Sequence, residues 1–164
     1  MVSLDKISKF LDKELRIKKI KDSSKNGLQI KAKKDIKKVG FAVDCCLSTF
    51  EKAKKAGVDL LIVHHGIKWR PQKYKELTEA RTLFLKKNKI ALYGAHLPLD
   101  AHKDYGNNIG LCRILQLKEI KKFGKYHGAS IGFKGKFRKN KSLKEIANIL
   151  NKNLKTRCRT QFCF

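Results

Sequence analysis

Two histidines, His64 and His65, stand directly after the apolar run Val58-Asp59-Leu60-Leu61-Ile62-Val63. A second run, Ile90-Ala91-Leu92-Tyr93, is followed by His96 and, four residues on, by Asp100. Neutral imidazole and carboxylate are donors that divalent zinc, iron, manganese and nickel accept. His64, His65, His96 and Asp100 therefore form a candidate transition-metal site. The His-His pair alone would equally suit a strand end with one ring buried and the other solvated. Further donors at the end of a second strand turn the reading toward metal.

Those donors need a scaffold that brings two distant segments together. Val39 to Val43 reads as a short buried strand leading to Asp44. Ser48 with Glu51 three residues later reads as a capping box, opening a helix through Phe50, Ala53 and Ala56 that stops at Gly57. The strand Val58 to Val63 follows, so the unit is a βαβ crossover with parallel strands. The pattern then repeats with a helix from about Leu77 to Lys87, an exit at Asn88 and a strand from Ile90 to Tyr93. The candidate ligands thus fall outside the carboxyl ends of parallel strands, where open α/β sheets place their sites. Upstream, Leu4, Ile7, Phe10, Leu11 and Leu15 recur at helical spacing over the first twenty residues, and Asn26-Gly27 marks a turn before Leu28-Gln29-Ile30.

Downstream, Asn108 to Leu117 reads as a helix, the lysine-rich stretch Lys118 to Lys125 as a linker, and Tyr126 to Phe137 as two short strands around a glycine turn. Ser142 to Leu154 has Leu143, Ile146, Ile149 and Leu150 on one helical face, and a strand-like motif opens within 156–164. The domains read as 1–123, an α/β metal-site domain, and 124–164, an incomplete second α/β domain, because so few elements cannot bury a core alone. Outside the main group, His102 lies in the loop after Asp100, and His127 reads as a plain strand residue. Lys103 and Asp104 read as a solvated turn. Trp69 and Tyr74, with Arg70 and Lys73, could stack on and charge-pair with a nucleotide, or could simply pack on the surface.

Forty basic residues against fourteen acidic ones give a formal charge of +26. Such a field draws nucleic acid or other polyanions. The 33 lysines are spread along the whole chain and rarely alternate with aromatics, so the charge alone locates no site. A lysine-rich proteome or a heat-adapted surface would look the same. The five cysteines include the neighbours Cys45 and Cys46 and no Cys-x-x-Cys pair, which reads as reduced, mostly structural thiols. Cys158 and Cys163 alone look exposed. No apolar run reaches the roughly 20 residues of a membrane span, and the charged N-terminus lacks a secretory signal. The expectation is a soluble, cytoplasmic protein without a membrane partner.

Asn26-Gly27-Leu28-Gln29, Val43-Asp44 before a helix, Leu60 to Gly66 with its His64-His65, and Ala95-His96-Leu97-Pro98-Leu99-Asp100 stand in an order and spacing that resemble one family. It is the dinuclear-metal family of GTP cyclohydrolase 1 type 2, also called NGG1-interacting factor 3-like or NIF3-like. The likeness covers residues 1 to 117 strongly and 124 to 155 weakly. It implies a two-domain α/β subunit, two divalent ions per subunit in a cleft, and a toroidal homohexamer. Carried over by position, His64, His65 and Asp100 would be metal ligands, with Asp100 bridging the ions and His96 a ligand or close neighbour. Asp44 would support a ligand from outside the coordination sphere. In relatives a histidine and a glutamate near the C-terminus complete the set, beyond the last residue here. A site holding one ion, or none, is therefore the expectation for this chain.

The resemblance further implies a hydrolase-like protein acting on a nucleotide, with metal-activated water opening the guanine imidazole ring and releasing formate. The catalytic residues stay unassigned; His96 and His102 are the local candidates for a base. The rival expectation is a non-catalytic, metal-binding toroid that holds nucleic acid.

Overall fold

A computed structural model describes residues 1–164 except Lys73 and 162–164. It divides into two compact units, Met1–Leu99 and Asp100–Phe164. This division lies upstream of the boundary at 123/124 read from the sequence. The fold class is the expected one, α/β with a parallel βαβ core followed by part of a second α/β domain.

In the first unit the elements run β1 (Val2–Ser3), α1 (Leu4–Glu14), β2 (Gly27–Ile30), β3 (Asp35–Ile36), β4 (Val39–Asp44), α2 (Leu47–Lys55), β5 (Leu60–His65), α3 (Lys75–Lys87) and β6 (Ala91–Gly94). The main sheet has the order β2-β6-β5-β4. β4, β5 and β6 are parallel, and β2 joins the edge antiparallel to β6. Alternation along the strands feeds two cores. Leu61, Val63 and Leu92 pack with Phe50 and Ala53 of α2 and Leu85 of α3. Leu60, Ile62, Ala91 and Tyr93 pack with Leu4, Ile7 and Leu11 of α1. Both faces of the central strands are thus buried, which is why they read as nearly continuous apolar runs. β4, at the far edge, leaves Val39, Phe41 and Val43 exposed.

Several local readings are corrected. β5 does not stop at Val63 but carries both histidines, because Asp44 pairs with His65 in the β4–β5 ladder. The N-cap of α2 is Cys46, with no side-chain cap bond. The helix begins before Ser48, which therefore cannot form the expected capping box with Glu51. α1 ends at Glu14, well short of residue 20.

The second unit contains α5 (Asn107–Ile114), β7 (Lys118–Tyr126), β8 (Ala129–Lys136) and α6 (Leu143–Leu154); the short helix α4 (Leu97–Asp100) precedes them. The expected linker Lys118 to Lys125 is strand β7, paired antiparallel with β8. His127 is not a strand residue: with Gly128 it forms a two-residue hairpin turn in which both have positive φ, 45° and 83°. Among the described residues the capping box lies at α6, where Ser142 and Glu145 exchange hydrogen bonds. Residues 156–161 form no strand. No helix among the described residues is long and apolar enough to cross a membrane.

Candidate metal centre

His64 and His65 are the last two residues of β5, and His96 lies two residues past the end of β6. Pairing continues beyond the ladder through Ala95 N, which donates to Val63 O at 2.9 Å. The three rings consequently gather at the carboxyl end of two adjacent parallel strands. Their centroids are 4.6 Å (His64–His65), 5.0 Å (His64–His96) and 5.6 Å (His65–His96) apart. A ring nitrogen of each lies within 4.8 Å of the other two.

Every Nδ1 in the cluster has an acceptor. His64 Nδ1 lies 2.9 Å from the Ala95 carbonyl. His65 Nδ1 lies 2.6 Å from Asp44 Oδ1, its cross-strand neighbour. His96 Nδ1 lies 3.0 and 3.1 Å from the two oxygens of Asp22. A carbonyl or carboxylate oxygen only accepts, so these contacts place a hydrogen on Nδ1 of each ring. Metal-ligating histidines are oriented in this way.

Asp22 is absent from the sequence-based site, yet its side chain is only 2% exposed. Besides His96, it accepts from Ser24 N at 3.0 Å, Asn26 Nδ2 at 2.9 Å and Leu97 N at 3.1 Å. Burial pushes its carboxyl upward, but the bonds from Asn26, Ser24 and His96 outweigh this and hold it below the usual value. Asn26 also accepts from the backbone of His96 at 2.7 Å. The Asn26-Gly27 turn therefore does more than reverse the chain. It anchors the His96 backbone, and Asp22 orients the ring. An acid in a polar loop more than seventy residues upstream of its partner carries no periodic or spacing signal, so the sequence offered no route to it.

A buried glutamine braces the strand end. Gln29 Oε1 accepts from Ile67 N at 2.8 Å and Lys68 N at 3.2 Å, while Nε2 donates to Lys25 O at 2.5 Å. A Cβ at Gly66 would sit 2.2 Å from Gln29 Nε2, and one at Gly94 would sit 2.6 Å from it. Both glycines are thus required by close approach. The Trp69 indole donates to Gly66 O at 2.7 Å and meets the His96 ring edge-on at 5.0 Å. Beside it opens a cavity of about 380 Å³ lined by Trp69, Arg70, Tyr74, Thr78 and Arg81, among others.

The other candidates are placed as follows. Asp100 is the last residue of α4 and belongs to the second unit, where its Oδ1 accepts from Asn107 Nδ2 at 2.8 Å. His102, in that unit, stacks on Tyr105 at 5.3 Å and accepts from the backbone of Asp104 and Tyr105. Lys103 and Asp104 form a surface ion pair at 2.6 Å. Lys73 and Cys163 lie outside the described residues. Cys46 is part-exposed, unlike the buried Cys45 beside it.

Fold and site together define an α/β protein that gathers three histidines at the carboxyl end of a parallel strand pair. A family model described as Duf34/NIF3 (NGG1p interacting factor 3) matches residues 2–162. The chain belongs to this family. It is 43% identical over 151 residues to a Pyrococcus abyssi protein and 46% identical over 151 residues to one from Pyrococcus horikoshii. Both are called "GTP cyclohydrolase 1 type 2 homolog", and each match covers 92% of this chain and 60% of the relative. Among solved structures, TTHA1606 from Thermus thermophilus superposes with a TM-score of 0.80 at 38% identity, covering 92% of this chain and 61% of that one. Reduced HcgD from Methanocaldococcus jannaschii gives 0.76 at 30% identity, covering 92% and 60%. The chain thus spans about three-fifths of the length of the relatives it matches.

Proposed function

We propose that this chain binds a divalent transition-metal ion through His64, His65 and His96, and that it belongs to a cytoplasmic, metal-dependent hydrolase acting on a nucleotide. The observation that carries the metal reading is the donor set itself. Three imidazoles, their Nδ1 atoms engaged by Ala95, Asp44 and Asp22, each bring a ring nitrogen within 4.8 Å of the other two. Around a tetrahedral zinc, ligand nitrogens stand about 3.4 Å apart, so the cluster needs only a modest contraction. Asp100 remains the proposed fourth protein ligand. A second ion, and the hexamer in which such subunits would assemble, belong to the same proposal.

The nucleotide reading is supported by the names of the relatives and by the cavity beside Trp69. Indole and phenol faces suit a base, and Arg70 and Arg81 suit phosphate. When bound, the metal would supply an activated water for hydrolysis. The chain's own part is to orient the three rings and hold their tautomers.

The metal claim is tested by zinc and manganese titration calorimetry with elemental analysis. About one ion per chain is expected, lost in the double variant His65→Ala/His96→Ala and retained in His127→Ala. Equal binding by both variants would sink the site. Formate release from GTP tests the hydrolase reading separately, with Asp100→Ala as the inactive reference.

A further inference from the structure

The charge of +26 has no obvious address in the linear sequence, but the β7–β8 hairpin gives it one. The ladder pairs Lys118 with Lys136, Lys121 with Lys134, Phe123 with Gly132 and Lys125 with Ser130, with an irregularity between Lys118 and Lys121. Side-chain alternation then puts Lys118, Lys121, Phe123 and Lys125 on the same face as Lys134 and Lys136. Ile120 lies on the opposite face, where its side chain approaches Gly135. Five exposed lysines thus surround one exposed phenylalanine: β7 is exposed along its length, and Lys134 and Lys136 are the exposed positions of the otherwise half-buried β8.

Directly opposed like charges destabilise a hairpin, and here two Lys–Lys pairs face each other across the ladder. Glu119 is the single acid between Leu117 and Phe137, and it pairs with Lys136 at 3.0 Å. Phe123, 57% exposed, lies across Gly132, where an added Cβ would stand 3.5 Å from its ring. A flat aromatic ring on a glycine platform, ringed by ammonium groups, is the combination that single-stranded nucleic acid requires: one group to stack a base and several to meet phosphates.

We propose that this face of the β7–β8 hairpin is a binding site for single-stranded nucleic acid, with Phe123 stacking a base and Lys121, Lys125 and Lys134 contacting the backbone. Its residues belong to the second unit, whereas the three histidines belong to the first. The alternation that the linear sequence lacks is created across the strands, with the two lysine-bearing strands brought into register by the His127-Gly128 turn.

The test is fluorescence anisotropy of a labelled oligothymidylate of about 15 nucleotides with the full chain, across roughly 0.05 to 0.5 M salt. Lys121→Ala/Lys125→Ala/Lys134→Ala should lower the log–log salt slope by about 2 and the affinity at 0.1 M by roughly a hundredfold, at about 0.7 per phosphate. Phe123→Ala should weaken binding about 5- to 100-fold with the slope unchanged, and Phe123→Tyr should restore it. The comparison is Lys52→Ala/Lys54→Ala/Lys55→Ala, which removes the same charge from exposed positions of α2. Four results would overturn the proposal: equal losses in the two lysine triples, no effect of Phe123→Ala, no binding by the parent chain, or tighter binding of duplex that ignores Phe123. Far-UV circular dichroism identifies any variant that fails to fold, and lysine-to-glutamine versions then replace it.

Discussion

Gly66→Ala is the sharpest probe of how the histidine strand end is held. The added methyl would meet Gln29 at 2.2 Å (Nε2), 2.6 Å (Oε1) and 2.7 Å (Cδ). Gln29 is buried and bonded at both ends of its amide, to Ile67 N, Lys68 N and Lys25 O, so it can yield only by giving up those bonds. Leaving a buried donor unpaired costs about 1–3 kcal/mol, and overpacking adds about 1–3 kcal/mol. Gly66→Ala should therefore destabilise the fold by roughly 2–6 kcal/mol. Gln29→Ala alone strands the buried Ile67 N–H and opens a void, at about 2–4 kcal/mol. In the double variant the alanine methyl has no amide to strike, so the two losses should overlap and leave a coupling of about 2 kcal/mol. Urea unfolding followed by circular dichroism measures all three. Additive losses, or a Gly66→Ala variant within about 1 kcal/mol of the parent, would show that Gln29 is not the brace and that the glycine serves some other end.

Three further outcomes follow from the same geometry. Asp44→Ala removes the acceptor from His65 Nδ1 and should weaken zinc binding about 10- to 100-fold, read by competition with a chromophoric chelator; an unchanged constant would dismiss the orienting role. Asp59 is held down to about 2: burial raises it, but Lys33 and the Lys37 and Lys38 amides, at 2.7 and 3.0 Å, outweigh burial. Its folded value lies below the ordinary 3.8, so the stability it contributes is present above pH ~4 and is lost as pH falls toward 2. Asp59→Asn should cost up to about 2 kcal/mol at neutrality and flatten the acid limb, and an unaltered limb in urea midpoints would refute this. Cys46 is drawn down to about 7 by the Ser48 and Thr49 hydroxyls, whereas burial pushes Cys45 up to about 12. Iodoacetamide at pH 7 should therefore label Cys46 and spare its neighbour in the folded chain, with peptide mass mapping as the readout.

What was legible in the sequence is what periodicity and strand-end position encode. The runs before His64 and His96 are apolar throughout because both faces of β5 and β6 are covered, and that same burial made their parallel, crossover-linked nature readable. His64, His65 and His96 were found because chemistry-bearing residues at strand ends stand out against an apolar background. β7 was misread for the converse reason: every residue of Lys118–Tyr126 is exposed, so no alternation of burial marks it, and a solvated strand looks like a linker. Asp22, and the bracing role of Gln29, were invisible for a third reason. Each acts across the fold, on partners whose nearness depends on the antiparallel docking of β2 against β6. A sequence shows donors that could bind a metal, but the acceptors that fix their tautomers are chosen by tertiary packing. Two of the three acceptors here show the difference. Asp44 was reachable through the family resemblance, and it terminates the strand beside β5 and faces His65 in register; Asp22 sits in a loop that only the folded chain brings to His96. The oriented imidazoles therefore owe as much to the loop and edge strand before residue 31 as to the two strands that carry them, and mutations there should be read first for their effect on the histidine cluster.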